Sequence, residues 1–260
     1  MYVPRLLLIL SLLTVAAPAQ TLKVAAASDL SAAMDKLVPL FEKQTGVHVS
    51  LALGSSGNFF AQMQNGAPFD VFLSADKSYP EKLQQAGLAE PNTLTAYGRG
   101  RLVVWTRNNS TLRFASKDGK VLSGGLEALT GAQVGKIAVA NPAHAPYGRA
   151  AIAALEHYRI YDKVKAKLVL GENISQTAQF AQSGNADVGF IALSLALTTA
   201  MSGSGHWLML PEESYPPIEQ AAVILRSSGN KDQAKKFLSF LTSPQGQAIL
   251  HDSGFEATPK

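Results

Sequence analysis

Four short segments join a strand-like run to a helix-like run and place hydroxyl or backbone N–H groups at the junction. They contain Ser28 in AAASDL, Ser56 in LGSSGN, Tyr147 in NPAHAPYG and Ile174 in LGENIS. The first N–H groups of a helix have no partner within the helix, and the helix dipole makes that end positive. Several such ends directed at one point bind an anion without any lysine or arginine. The pattern therefore indicates a site for a small anion.

Taken one at a time, these residues have ordinary structural interpretations. Serine is among the commonest N-cap residues, so Ser28 and Ser56 considered alone are each expected as plain helix caps. Tyr147 alone is typical of a core or rim aromatic residue. Ile174 alone is typical of packing, and only its backbone N–H could reach a ligand. The anion-site interpretation depends on the repetition of one arrangement at four junctions.

Enzymatic interpretations have weaker support. The run GSSG lacks the glycine that the nucleophile motif G-x-S-x-G places after its serine. The five histidines are scattered without metal-ligand spacing, and the chain has no cysteine. The sequence does not exclude a catalytic pair of carboxylates, although Asp29 and Asp70 lie in no catalytic motif. A serine hydrolase using Ser28 or Ser56 is therefore the less favoured alternative, and neither enzymatic activity nor a cofactor is expected.

Alternating strands and helices must position these junctions. Apolar runs predict strands over 22–27, 47–53, 69–73, 101–106, 136–140, 167–170, 188–192 and 221–225. Helical periodicity occupies most of the intervals, and Pro39 is expected to kink or break the first helix. Repeated strand–helix units are typical of parallel sheets, which bind ligands beyond the carboxyl ends of their strands.

The order of these units predicts two lobes joined by two crossing segments, RLVVWT at 101–106 and QAAVILR at 220–226. We assign residues 20–100 together with 221–260 to the first lobe, and residues 101–220 to the second. The cleft between two lobes is the usual place for a small ligand.

The N-terminal residues are typical of an export signal. Arg5 precedes an apolar run over 6–17, and Ala17-Pro18-Ala19 has the small-x-small form of a signal-peptidase site. The run is shorter than the ~20 residues that span a membrane. We therefore expect residues 1–19 to be a signal peptide and the mature protein to be free in the periplasm.

Composition is that of a soluble globular protein. Of the 260 residues, 47% are hydrophobic and 16% are charged. The 23 lysines and arginines and the 19 acidic residues are scattered along the chain. No nucleic-acid partner is expected, because no basic patch of the necessary size is present.

The segments KVAAASDL, NGAPFDVFLSAD, KIAVANPAHAPYG and NADVGFIALS resemble the periplasmic molybdate-binding proteins that serve ABC importers. The resemblance covers nearly all of the mature sequence, and NGAPFDVFLSAD is its most specific part. It implies the two-lobed α/β fold of type II periplasmic binding proteins, in which each lobe is a mainly parallel sheet flanked by helices. It also implies a monomer that binds molybdate or tungstate and delivers it to a membrane permease.

Carried over by position, the resemblance implies that Ser28 and Ser56 give the oxyanion hydroxyl and backbone N–H bonds. Tyr147 and Ile174 would give backbone N–H bonds, so no protein atom would bond the metal directly. Some family members place a further tyrosine where this sequence has Ala192. That bond is expected to be missing, and Tyr147 is expected to line the pocket instead.

Asp29 is an unfavourable neighbour for a doubly charged anion. We expect its carboxylate to turn away from the ligand, with only its N–H taking part. A carboxylate directed inward would instead suit phosphate, which carries a proton to donate. Another tetrahedral oxyanion such as sulfate or phosphate is therefore the alternative ligand. Ferric iron is less favoured, because the sequence has no adjacent tyrosine pair.

Overall fold

The computed structural model describes residues 21–110, 112 and 125–258, so the predicted signal peptide lies outside the described residues. Within them, the strands are β1 (Thr21–Ala27), β2 (His48–Gly54), β3 (Val71–Ser74), β4 (Thr95–Gly100), β5 (Leu102–Arg107), β6 (Ile137–Ala140), β7 (Leu168–Gly171), β8 (Val188–Ala192), β9 (Gly205–Met209) and β10 (Ile218–Ile224). The α-helices are α1 (Ser31–Thr45), α2 (Ser56–Gln64), α3 (Ser78–Gln85), α4 (Pro146–His157), α5 (Tyr161–Val164), α6 (Ile174–Ser183), α7 (Leu193–Ala196), α8 (Thr199–Ser202), α9 (Lys231–Thr242) and α10 (Pro244–Asp252). None of these helices is both long and apolar enough to cross a membrane.

The strands form two five-stranded sheets, one in each lobe. Their orders are β2-β1-β3-β10-β4 and β7-β6-β8-β5-β9. In each sheet one strand runs antiparallel to both neighbours, β10 in the first and β5 in the second. These are the strands that the chain enters after crossing between the lobes. The predicted two-lobed fold with two crossing segments is confirmed, and each sheet is mixed, with two parallel and two antiparallel strand pairs. The exact lobe boundaries stay a prediction.

Two strands were not predicted. The segments of β4, TAYGRG, and β9, GHWLM, contain glycine and polar residues and lack an apolar run. Each lies at the edge of its sheet and pairs along one side with a crossing strand, β4 with β10 and β9 with β5. Pairing with a buried neighbour therefore supplies the strand structure that their own sequences do not indicate.

Pro39 does not break the first helix, because α1 continues through this residue to Thr45. The alternative, a kink at Pro39, stays a prediction. Proline removes one backbone hydrogen bond and leaves the carbonyl four residues earlier without its partner. Pro39 lies on the exposed side of the helix, so water can satisfy that carbonyl. The opposite side of α1 is buried through Met34, Leu37 and Phe41, which hold the helix against the first sheet.

Three hydrophobic clusters lie among the described residues, two on the first sheet and one around the second. In the first lobe, Phe41 of α1 meets Phe237 of α9 edge to face at 5.1 Å, on one side of the sheet. On the other side, Phe59 and Met63 of α2 belong to a second cluster. The second lobe is built around Trp105 and its neighbours in the second sheet. This cluster extends to the cleft, because it includes Ala27 and Ala75 of the first lobe as well as Tyr147 and Ile174 of the second.

Candidate functional site

The four predicted junctions meet at one cavity between the lobes. Ser28 and Ser56 of the first lobe and Tyr147 and Ile174 of the second line it, together with Asp29. The rest of the wall consists of small residues and one proline: Ala27, Gly54, Ser55, Ala75, Ala145 and Pro146. Its volume of about 10 Å³ is close to that of one water position, so the cavity excludes a sugar or a peptide.

Neither predicted serine caps a helix through its side chain. Ser28 begins a short 3-10 turn, Ser28–Leu30, and its Oγ accepts a hydrogen bond from the N–H of Ser175 at 3.4 Å. Ser56 is the first residue of α2, and its Oγ accepts from the N–H of Ala75 at 3.0 Å. Because both oxygens accept from backbone groups, both hydroxyl hydrogens can be donated to a ligand. The plain-cap interpretation is therefore wrong for both residues.

The second lobe contributes two helix ends. Pro146 is the first residue of α4 and has no N–H, so Tyr147 carries the first backbone donor of that helix. Ile174 is the first residue of α6, and the side chain of Asn173 caps this helix by accepting from the N–H of Gln176 at 3.0 Å. The N–H groups of Tyr147 and Ile174 have no partner within their helices and lie at positive helix ends.

Asp29 lies fully buried beside Ser28 and has a partner on a crossing strand. Its Oδ2 accepts a hydrogen bond from Nε2 of Gln220 in β10 at 2.5 Å. Oε1 of Gln220 in turn accepts from the hydroxyl of Tyr97 at 2.9 Å. Oδ1 of Asp29 has no hydrogen-bond partner among the described residues. Whether the N–H of Asp29 takes part in binding stays a prediction.

The burial of Asp29 changes its protonation. Desolvation raises the pKa of its carboxyl group to about 6, against hydrogen bonds from Gln220 and Tyr147 that lower the pKa. A raised pKa in the folded state means that this group favours folding below its ordinary pKa of 3.8. That contribution is lost as the pH rises through about 6. A fully ionised Asp29 is therefore a cost to the fold at neutral pH.

Tyr147 has two separate parts in the site. Its backbone N–H begins α4, while its hydroxyl belongs to the buried network of Asp29, at 3.5 Å from Nε2 of Gln220. Burial, and then the nearby Asp29, raise the pKa of the Tyr147 hydroxyl well above its ordinary value. The phenol therefore stays neutral. Ala192, where some relatives were expected to have a tyrosine, is a buried residue at the end of β8.

Contacts between the lobes surround the cavity, and sequence reasoning missed them. Ser194 donates to the carbonyl oxygen of Asp29 at 2.7 Å, and Ser175 donates to that of Ser28 at 3.0 Å. On the other side of the cavity, the carbonyl oxygen of His144 accepts from Oγ of Ser55 at 2.6 Å. These bonds hold the turn that carries Ser28 and the loop that leads to α4 in fixed positions across the cleft.

The pair formed by Ser55 and His144 has the wrong geometry for a nucleophile and its base. Nδ1 of His144 lies 2.9 Å from Oγ of Ser55, but the Ser55 hydroxyl already donates to the carbonyl oxygen of His144. Nδ1 must then donate to Oγ, so it cannot accept the proton of this serine. Neither Ser28 nor Ser56 has a histidine among its hydrogen-bond partners in the described residues.

An ion pair also joins the lobes, between Arg149 and Asp76. Arg149 of α4 bonds to Oδ2 of Asp76 at 2.5 Å and to the hydroxyl of Tyr79 at 3.2 Å. Its side chain is 39% exposed, so solvent screens most of the attraction. Replacing Arg149 with methionine is expected to weaken ligand binding only about two- to fivefold, since exposed pairs contribute ~1 kcal/mol or less.

The test is the dissociation constant of the Arg149→Met variant for the bound anion, measured at low and at high salt. The difference from the unchanged protein should shrink as salt screens the Arg149–Asp76 pair. Lys163→Met is the matched control, because Lys163 pairs with Glu127 at 2.8 Å within the second lobe alone. A salt-independent effect of Arg149→Met would contradict an electrostatic role.

A larger groove of about 330 Å³ is lined by residues of β4 and β10. Its charged residues have both signs, and Lys77 pairs there with Glu219. None of the four predicted junction residues lines it. In the described part of the chain, no group of His, Asp or Glu side chains is arranged to hold a metal ion. The cavity between the lobes is therefore the best candidate site.

Comparison with known proteins places this chain in a family. Residues 22–256 match the family model described as bacterial extracellular solute-binding protein. The molybdate-binding protein ModA of Rhodobacter capsulatus is 37% identical over 231 residues, which are 89% of this chain and 86% of that protein.

Solved structures agree with this comparison. The periplasmic molybdate-binding protein of Azotobacter vinelandii superposes with a TM-score of 0.83 at 35% identity, covering 92% of this chain and 100% of that one. The sulfate-binding protein SubI of Mycobacterium tuberculosis superposes with a TM-score of 0.74 at 14% identity, covering 92% of this chain and 87% of that one. At that identity the second match shows a shared fold alone.

Proposed function

The chain belongs to the bacterial extracellular solute-binding proteins, and we propose that it binds molybdate or tungstate between its two lobes for delivery to an ABC importer. The observation that carries the proposal is the cavity in which two serine hydroxyls and two helix N-termini converge. The relatives at 36–37% identity are named as molybdate-binding proteins, and they support the same ligand.

The chemistry of the cavity suits a fully ionised tetrahedral oxyanion. Molybdate has no proton to donate at neutral pH, so it is bound best by groups that donate. The hydroxyls of Ser28 and Ser56 can donate, as can the N–H groups of Tyr147 and Ile174. Charge-assisted hydrogen bonds of this kind are about twice as strong as neutral ones. Ser28 and Ser56 on one lobe, with Tyr147 and Ile174 on the other, would make the ion a bridge between the lobes.

Sulfate is the alternative that must be separated from molybdate. It has the same charge and shape but is smaller, so hydrogen-bond donors alone do not discriminate between the two ions. Selectivity would then come from the distance between the donors on the two lobes. Tungstate is close to molybdate in size and is expected to bind nearly as well.

We further propose that the protein acts in the periplasm as a monomer without enzymatic activity or a cofactor, and that its partner is the membrane permease of the importer. The periplasmic molybdate-binding protein of Azotobacter vinelandii supports the location in the periplasm. The closed arrangement of both lobes on the ion would be the form presented to the permease.

Thermal unfolding with different oxyanions tests the ligand. A ligand at a thousandfold excess over its dissociation constant stabilises a protein by about 4 kcal/mol, which raises the melting temperature by several degrees. We expect this rise with molybdate and tungstate, and little change with sulfate or phosphate at the same concentration. A rise with sulfate or phosphate would favour the alternative oxyanions, and no rise with any of the four ions would contradict the proposed function.

A further inference from the structure

Asp29 is the feature of the cavity that a simple anion cradle does not explain. Asp29 is 0% exposed and is one of the residues that line the cavity, next to Ser28. One carboxyl oxygen accepts from Gln220, whereas Oδ1 has no hydrogen-bond partner among the described residues. A doubly charged oxyanion held in so small a space would lie close to this carboxyl group. Two like charges at short distance and away from water repel each other strongly.

The elements around Asp29 supply no compensating positive charge among the described residues. Helices α1, α6 and α7 pack against the turn Ser28–Leu30. The sequences of α6 and α7, ISQTAQFAQS and LSLA, contain no charged residue. On α1, the charged residues Asp35, Lys36 and Lys43 are exposed, and Glu42 pairs with His48.

The remaining titratable groups near the carboxyl group are tyrosines. Burial raises the pKa of Tyr97 and of Tyr147 well above the ordinary value, so both stay neutral. Tyr215 faces Tyr147 and bonds to Arg101 at 3.4 Å. Arg101 is engaged by Glu212 and Glu256, which pair with its guanidinium at 2.7 and 2.5 Å. The carboxylate of Asp29 therefore has hydrogen bonds but no ion-pair partner in the described part of the chain.

On the basis of the function proposed above, we propose that Asp29 couples oxyanion binding to the uptake of one proton. As the dianion enters, the carboxyl group takes a proton from water or from a buffer acid onto Oδ1, and it is neutral in the complex. No covalent bond forms between protein and ligand. A protonated carboxyl group is a hydrogen-bond donor, so the whole site then consists of donors.

The ionisation of the free protein supports this coupling. Burial already raises the pKa of Asp29 to about 6, and a dianion beside the group raises that pKa further. Between pH 7 and 8 the ligand-free protein then holds Asp29 ionised, whereas the complex holds it protonated. Because molybdate keeps its double charge over this range, its Kd is expected to rise about tenfold for that one pH unit.

Titration calorimetry with molybdate at pH 7.5 measures the proton directly. In two phosphate-free buffers of different ionisation enthalpy, the difference in observed heat gives the number of protons taken up. We expect about one proton per molybdate for the unchanged protein and about zero for Asp29→Asn, whose Kd should also be nearly the same at pH 7 and 8. Asp35→Asn is the matched control, since Asp35 is exposed. This variant should still take up about one proton per molybdate.

Gln220→Leu provides a second, independent variant. Removing the hydrogen bond from Gln220, which lowers the pKa of Asp29, should raise that pKa in the ligand-free protein. The pH range in which the Kd for molybdate rises should then move upward. An unchanged range would count against the proposal, as would proton uptake that persists in Asp29→Asn. Tight molybdate binding by the unchanged protein with no proton uptake would overturn the coupling alone. Failure of the unchanged protein to bind molybdate would instead overturn the proposed function.

Discussion

Replacing both Ser28 and Ser56 with alanine is expected to weaken molybdate binding about a thousandfold. A hydrogen bond to a charged group contributes about 1.5–3 kcal/mol, so two of them together contribute about 3–6 kcal/mol. Each tenfold change in Kd corresponds to about 1.4 kcal/mol. The hydroxyl oxygens already accept from backbone N–H groups, so the hydrogens that are lost are those that can reach a ligand. Calorimetric titration of the double variant with molybdate measures the effect.

The same substitutions also remove two internal hydrogen bonds, and this effect must be separated from ligand binding. Without Oγ of Ser56, the buried N–H of Ala75 has no acceptor, which costs the fold about 1–3 kcal/mol. The melting temperature of the ligand-free double variant reports that loss separately. Ser31→Ala is the matched control, because Ser31 begins α1 one turn after Ser28 and does not line the cavity. A double variant that binds within threefold of the unchanged protein would contradict the role of the hydroxyls.

The parts of the structure that sequence reasoning could predict are those that depend on neighbouring residues in the chain. An apolar run that ends in three alanines and a serine predicts a strand followed by a helix, and β1 and the turn after it have that order. Because parallel strands place their carboxyl ends at one edge, four such junctions could be expected to meet. The cavity lined by Ser28, Ser56, Tyr147 and Ile174 has this arrangement.

The parts that could not be predicted depend on how distant segments approach one another. Asp29 and Gln220 are 191 positions apart, so no local pattern indicates that a crossing strand supplies the partner of a buried carboxylate. The cap interpretation of Ser28 is wrong for a similar reason, since its Oγ bonds to Ser175, 147 positions away. The one local signal for the buried network was a carboxylate placed directly after a predicted anion-binding serine.

Gly57 permits a close approach of the two lobes beside the cavity. It lies in the first turn of α2, next to Ser56, and its N–H donates to the carbonyl oxygen of His144 at 2.9 Å. A Cβ atom at this position would lie 2.6 Å from that oxygen and 2.8 Å from Cα of His144. Both are backbone atoms, so they cannot rotate away as the end of a flexible side chain could. A side chain at residue 57 therefore pushes the lobes apart.

Gly57→Ala is accordingly expected to weaken molybdate binding about ten- to a hundredfold. Overpacking of a close contact costs about 1–3 kcal/mol, and here the cost falls on the form in which the lobes are in contact. His144 precedes the start of α4 by two residues, so its displacement also moves the N–H of Tyr147 away from Ser56. The measurement is the Kd for molybdate by calorimetry.

The ligand-free protein should respond differently to the same substitution, and this difference separates lobe closure from folding. Lobes that are free to move apart relieve the contact with His144, and alanine is a better helix former than glycine. The melting temperature of ligand-free Gly57→Ala should therefore be unchanged or higher. Gly229→Ala is the matched control, because a Cβ there meets no atom within 4 Å. If Gly57→Ala bound molybdate as tightly as Gly229→Ala, the contact between Gly57 and His144 would not be required for binding. A lower melting temperature without ligand would instead place the contact in the folding of the protein, independent of the ion.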